Sequence, residues 1–295
     1  MSLAVACFED EAAAARRLAA ALNTPLTIVR THRFPDGEIL PVVAAPASET
    51  VVVYRSLDRP NEKLIELMLA ADAWRRAGAR RLILAAPYLC YLRQDAVFAP
   101  GQPLSRDVVG PLIGARFDAV ITVQAHLHRT RDLADVLGTP ASNLLAVDVL
   151  AAALPAYSAF PLVLGPDRES TPWAAAWAAR LHGEAATLRK RREGDRQIEM
   201  SLGDIDVAGR PVVIVDDIAS SGETLRRATQ LAKDAGAQSV DIAVVHALMT
   251  AAATEQLRSA GARRIVSTDS VAHETNAAEL APMLAEVVRQ LAEAP

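Results

Sequence analysis

Cysteine is nearly absent: the 295-residue chain has two, Cys7 and Cys90. They lie too far apart in sequence to form a metal-type pair, and read as buried thiols of a reducing compartment rather than a disulfide. No apolar run approaches the roughly 20 residues that a membrane-spanning helix needs. The first residues, MSLAVACFEDE, become acidic too early for a secretory signal peptide. A cytoplasmic protein with no membrane contact is therefore expected. Neither a G-x-x-x-x-G-K-[ST] phosphate loop nor a G-x-G-x-x-G dinucleotide fingerprint occurs, so any nucleotide must be held in another way. A net charge of −4 gives no general attraction to nucleic acid, and none is expected as a partner. Low-complexity tails and short-period repeats are also missing.

What is present is a globular composition, 51% hydrophobic and 22% charged. At about 150 residues per domain, the length accommodates roughly two. Strand-like and helix-like patterns alternate along the whole chain, which predicts an α/β fold with mostly parallel sheets flanked by helices. Strands are expected at 3–8, 26–33, 51–54, 81–86, 119–123, 161–164 and 239–248. Helices are expected at about 10–22, 61–77 and 147–154, from 170 to 181, and from about 278 onward. The helix over 61–77 places Leu64, Leu67, Met68, Ala71 and Trp74 on one stripe.

The sharpest local signal lies at 211–235. Four apolar residues, Val212 to Val215, run into the adjacent carboxylates Asp216 and Asp217. The small residues Ala219, Ser220, Ser221 and Gly222 follow, then Glu223, Thr224 and a helical spacing. A buried strand, a turn of small residues and a helix opening on that turn make an anion site. Several backbone N–H groups and the helix dipole converge there, and Ser220, Ser221 and Thr224 add hydroxyls. Ser220-x-x-Glu223 also fits a capping box, so these two residues are expected to cap the helix. Polar clusters recur where other predicted strands end: Arg93, Gln94 and Asp95, then His126 and His128, then Asp167. Ligands of open α/β sheets bind beyond the carboxyl ends of strands.

Taken in order, RFPDGEI (33–39), NEKLIELMLAADAWRRAGARR (61–81), PYLCYLRQD (87–95), His126, GPD (165–167), RKRR (189–192) and VVIVDDIASSGETL (212–225) resemble the ribose-phosphate diphosphokinases. These enzymes are built on the type I phosphoribosyltransferase fold. The resemblance implies two similar domains: 1–144, joined by a last helix at about 279–295, on the ATP side, and 145–278 on the ribose 5-phosphate side. It implies transfer of the diphosphoryl group of ATP to the 1-hydroxyl of ribose 5-phosphate, with Mg²⁺ as cofactor. Lys190 and Arg192 would stabilise the transferring group. Phe34, Asp36 and Glu38 would hold adenine for a neighbouring subunit, so self-association is expected. Arg93, Gln94 and His126 would bind ATP, with His126 and Asp167 at metal. Asp167, Asp216, Asp217, Ala219, Ser220, Ser221, Gly222, Glu223 and Thr224 would hold the sugar phosphate.

Two other readings stay open: a base phosphoribosyltransferase, which would not need RFPDGEI or LRQD, and a non-catalytic synthetase-associated regulator. The chain also departs from the family pattern. Gln124 stands where an acid precedes the histidine, Arg168-Glu169-Ser170 replaces small residues, Cys90 replaces a glycine, and Ser220 and Glu223 replace Asp and Gly. A glutamate beside a dianionic phosphate is repulsive unless it turns away.

Overall fold

The computed structural model describes residues 3–45, 48–97, 99–127, 132–193 and 197–293, with side chains left out at 190–193 and 197–199. The chain divides into two compact units, 1–144 with 280–295, and 145–279. Each is a mostly parallel sheet flanked by helices.

The first unit runs β1 (Leu3–Phe8), α1 (Ala12–Leu22), β2 (Leu26–Arg33), β3 (Ile39–Val42), β4 (Thr50–Tyr54), α2 (Pro60–Arg76), β5 (Arg81–Ala85), α3 (Ser105–Gly114), β6 (Ala119–Val123), α4 (Leu133–Leu137) and β7 (Ala141–Leu144). Its sheet order is β3-β2-β1-β4-β5-β6-β7, parallel except for the β2–β3 hairpin. β4 reads TVVVY and is buried at every position, as a central strand covered on both faces must be. α2 starts with Pro60, whose missing N–H costs nothing at the first helical position. Leu64, Leu67, Ala71 and Trp74 then form its buried stripe. Each large apolar side chain among them contributes roughly 1.5–3 kcal/mol by leaving water. The helix stops before Gly78, whose φ of +103° is a left-handed conformation that suits glycine.

The second unit runs α5 (Val147–Ala153), β8 (Leu162–Gly165), α6 (Thr171–Leu181), β9 (Glu184–Thr187), the antiparallel pair β10 (Arg189–Glu193) and β11 (Gln197–Ser201), β12 (Pro211–Ala219), α7 (Glu223–Asp234), β13 (Ser239–Ala247), α8 (Ala251–Ser259), β14 (Ala262–Thr268) and β15 (Asn276–Ala278). Its sheet order is β15-β14-β13-β12-β8-β9. The last helix, α9 (Ala281–Glu293), packs on α1 of the first unit, where an Arg289 guanidinium N–H donates to the Ala21 carbonyl at 2.6 Å.

The two sheets repeat one winding. In each, the chain builds the first strand, steps to its neighbour on one side, and makes an antiparallel excursion. It then returns to the other side of the first strand and continues outward. The direction reverses between β1 and β4 in the first unit and between β8 and β12 in the second. Such switch points open a crevice at the carboxyl ends of the two strands.

Candidate functional site

The crevice of the second unit is built by β8 and β12. Their ladder covers only Val212, Ile214 and the residue between them, against Leu162 to Leu164. β12 continues alone on that side and keeps its pairing to β13 as far as Ala219 and Ala247. The sequence pattern ends the strand at Val215, but the ladder carries Asp216 and Asp217 onto a rigid element. Both are half-buried, and the Asp217 N–H donates to Asp216 Oδ1 at 3.0 Å. Burial, together with the neighbouring carboxylates Asp217 and Asp167, pushes the Asp216 carboxyl well above the usual range.

Asp167 enters the crevice from the end of β8. It caps the short turn 168–170: one carboxylate oxygen accepts the N–H of Glu169 at 3.1 Å and of Ser170 at 3.2 Å. The Ser170 hydroxyl donates back to the Asp167 carbonyl at 2.5 Å. A side chain at Gly165 would collide with that hydroxyl. The departure at Ser170 therefore belongs to the device that fixes Asp167. Arg168 and Glu169 point outward and are exposed.

The turn of small residues is Ser220 to Gly222. Gly222 has φ +76° and is the residue from which α7 starts, with no side-chain cap on it. The expected Ser220–Glu223 capping box is not formed: the Glu223 N–H faces the Ser221 hydroxyl at 3.4 Å, and Glu223 occupies the first helical position. The β12 ladder runs through Ala219, which puts the helix start at Gly222 instead of Ser220. The first helical bond joins the Arg226 N–H to the Gly222 carbonyl at 2.8 Å, leaving the first-turn N–H groups directed out of the helix end. Glu223 turns along the helix to a two-pronged contact with Arg226 at 2.8 and 2.9 Å, and Arg227 lies 3.7 Å away. The hydrogen bond from Arg226 holds its carboxyl below the usual range. The charge that looked incompatible with a phosphate is thus matched on its own helix. The i, i+3 spacing of Glu223 and Arg226 was the readable signal for this pair.

Lys190 and Arg192 lie on β10, paired in register with Met200 and Ile198 on β11. The side chains of Lys190 and Arg192 fall outside the described residues.

The nucleotide-side candidates all belong to the first unit. Phe34, Asp36 and Glu38 occupy the exposed tip of the β2–β3 hairpin. The Phe34 N–H donates to the Glu38 carbonyl at 2.8 Å, Gly37 takes φ +94°, and the Phe34 ring stands edge-on to His32 at 4.5 Å. Arg93 and Gln94 follow β5 and are exposed, and Gln94 accepts from the Ser105 hydroxyl at the start of α3. His126 follows β6 and is half-buried, while His128 lies outside the described residues.

The residues that hold the His126 segment were not anticipated. Asn143 Oδ1 accepts the Ala125 N–H at 2.8 Å, and the Leu144 carbonyl accepts the Gln124 N–H at 2.7 Å. Gln124 itself sits at φ +45°, a conformation that persists in a non-glycine residue only when its surroundings enforce it.

Among the described residues no cluster of three or more His, Cys, Asp or Glu side chains forms a ready cation cage. The oxygens of Asp167, Asp216 and Asp217 are nevertheless a hard donor set. They suit a divalent cation that draws most of its ligands from phosphate and water. No helix among the described residues is long and apolar enough to cross a membrane.

A strand ending in paired aspartates, a small-residue turn and a helix N-terminus, set at the switch point of a parallel sheet, place the chain in the phosphoribosyltransferase fold class. Residues 144–281 match the phosphoribosyl transferase domain, and residues 3–115 match the N-terminal domain of ribose phosphate pyrophosphokinase. The ribose-phosphate pyrophosphokinase of Methanopyrus kandleri is 36% identical over 94% of this chain and 95% of its own. That of Halobacterium salinarum is 34% identical over 93% and 96%. The phosphoribosylpyrophosphate synthetase of Mycobacterium smegmatis shares the fold, with a TM-score of 0.85, 23% identity and coverage of 99% of both chains. The chain belongs to the ribose-phosphate pyrophosphokinase family.

Proposed function

We propose that the protein transfers the β,γ-diphosphoryl group of ATP to the anomeric hydroxyl of ribose 5-phosphate, giving 5-phosphoribosyl 1-diphosphate and AMP. One observation carries the acceptor half: β12 delivers Asp216 and Asp217 to the same crevice end at which α7 opens on the Ser220–Gly222 turn. The aspartates accept hydrogen bonds from the ribose 2- and 3-hydroxyls. The N–H groups of the turn and first helical turn, with the hydroxyls of Ser220, Ser221 and Thr224, hold the 5-phosphate. Arg226 keeps Glu223 from opposing it.

In the transfer, the anomeric oxygen attacks the β-phosphorus and loses its proton. The bond from that phosphorus to the α–β bridging oxygen breaks, and AMP departs with the pair. The barrier lies in aligning two anions and in charge on the phosphoryl oxygens, so positioning and cationic groups reduce it. Lys190, Arg192 and Arg93 supply that charge. Asp167 in the second unit and His126 in the first would each be a ligand of a Mg²⁺ ion, whose charge would neutralise the polyphosphate. Phe34 offers an apolar face to adenine, and Asp36 and Glu38 accept from its amino group. All three sit on an exposed hairpin tip, which suits service to a neighbouring subunit in a cytoplasmic homo-oligomer. The match of the first unit to the pyrophosphokinase N-terminal domain favours this reading over a base phosphoribosyltransferase.

The test is Lys190→Ala. Turnover is expected to fall at least a hundredfold while the Kd for ribose 5-phosphate stays within twofold. An equal loss in both would move Lys190 from the transfer step to ground-state binding.

A further inference from the structure

The repeated winding gives the first unit a switch point of its own, between β1 and β4. The crevice there is a cavity of about 250 Å³. Topologically it is the counterpart of the sugar-phosphate crevice, with β1 for β8, β4 for β12 and the β4–α2 turn for the β12–α7 turn. Its construction is that of a binding site more than of a packing defect. Arg55 lies over the Phe8 ring, 4.2 Å from the centroid, and its side chain is only 4% exposed. Its terminal nitrogens are engaged, one by Asp10 at 2.5 Å and the other by Glu66. Among the described residues its buried Nε–H meets no acceptor. A buried donor left unpaired costs about 1–3 kcal/mol, a cost borne by a guanidinium that lines the cavity.

Charges at the mouth are less committed. Arg33 and Arg59 line it and are exposed. Arg59 holds φ +51° in front of α2, an energetically unfavourable conformation for a non-glycine residue, and among the described residues its guanidinium makes one long 3.8 Å ion contact, to Asp58. Carboxylates of Glu9 and Glu62 share the rim. The chemistry parallels that of the second unit, where carboxylates face hydroxyls and donors face phosphate. Here, however, guanidinium groups line the mouth, and α2 begins with Pro60, which removes one of the free N–H groups of the first turn.

We infer that this cavity is a second, non-catalytic site for a phosphorylated polyol of the sugar-phosphate class. The phosphate is bound by Arg33 and Arg59, with the buried positive charge of Arg55 behind them, and the hydroxyls by Glu9 and Glu62. The choice of ligand class rests on the proposed function of the second unit, and the test separates the two. Equilibrium dialysis of labelled ribose 5-phosphate against the full chain, without ATP, is expected to give two molecules bound per chain. Arg33→Gln with Arg59→Gln, both at exposed positions that leave the fold intact, should reduce this to one. Asp217→Ala should also leave one, the one in the first unit. A single molecule per chain that survives the arginine changes overturns the cavity assignment while leaving the proposed function standing. A single molecule lost with the arginines but kept in Asp217→Ala overturns the second-unit reading instead. Inorganic phosphate that displaces the second molecule as well as the sugar phosphate does would refute the role given to the carboxylates.

Discussion

Gly222→Ala isolates the geometry of the phosphate turn from its chemistry. A Cβ at 222 would meet Ala253 Cβ at 3.5 Å and Met249 Sδ at 3.8 Å, both ordinary contacts, so there is room for the methyl group. The cost is conformational. At φ +76° an alanine pays about 1–2 kcal/mol, and the smaller entropy of its unfolded chain returns about 0.4–1 kcal/mol. Net destabilisation of roughly 0.5–1 kcal/mol at mid-range follows, a fall in Tm of about 1–2 °C. If the backbone relaxes to escape the strain, it rotates the first-turn N–H groups away from the phosphate. Loss of one hydrogen bond to a charged group is worth about 1.5–3 kcal/mol, or roughly ten- to a hundredfold in affinity. Calorimetric titration with ribose 5-phosphate should show that loss, while the KM for ATP stays unchanged. A variant as stable as the parent, with unaltered affinity, would refute the claim that this turn holds the phosphate.

Three further outcomes follow from the same geometry. Asp216→Asn should stabilise the ligand-free protein at neutral pH. The folded carboxyl has a raised proton affinity, so its ionisation costs stability as pH rises from 3.8 through the folded value. Urea titrations should show the advantage disappearing below about pH 3.8, together with at least tenfold weaker ribose 5-phosphate binding; an advantage that persists in acid would contradict this. Arg226→Ala should leave Glu223 with only the longer contact to Arg227 and weaken ribose 5-phosphate binding several-fold at low salt, a loss that shrinks in 0.5 M salt, while Glu223→Gln should not weaken it. Mixing Phe34→Ala with Lys190→Ala subunits, each inactive alone, should restore roughly a quarter of parental activity if the adenine site is shared within a dimer. No recovery after subunit exchange would place Phe34 in its own subunit's site or outside any site.

Much of the scaffold is legible because its strands are buried on both faces. β1, β4, β6 and β12 are runs of Val, Ile, Ala and Leu that no surface could carry. α2 announces itself through its stripe, its opening proline and Gly78. The elements that do not show in the pattern fail for identifiable reasons. α3 contains Gly110, Pro111 and Gly114, and its glycines are required by contact with α4, since side chains at 110 and 114 would strike the backbone of Val136 and Leu137. β10 reads as a basic surface run because its partner, β11, supplies the pairing from a distance in sequence. β14 carries Arg263 and Arg264, and Arg263 is there to neutralise the fully buried Asp241 on β13, at 2.9 and 2.5 Å.

The candidate site follows the same division. Asp216, Asp217 and the turn are legible because strand, turn and helix are contiguous. The role of Ser170 in closing the Asp167 cap and the extension of β12 to Ala219 depend on tertiary partners. So does the support of the His126 segment by Asn143. Glu223 is the instructive case: residue type alone argued against phosphate, and the guanidinium one turn away reverses the argument.

The most direct test is phosphorus NMR of the purified protein with Mg²⁺, ATP and ribose 5-phosphate. The account predicts AMP and 5-phosphoribosyl 1-diphosphate appearing in equal amounts, with the diphosphate on the anomeric oxygen. Formation of ADP, or no AMP in the presence of Mg²⁺ or Mn²⁺, would contradict it.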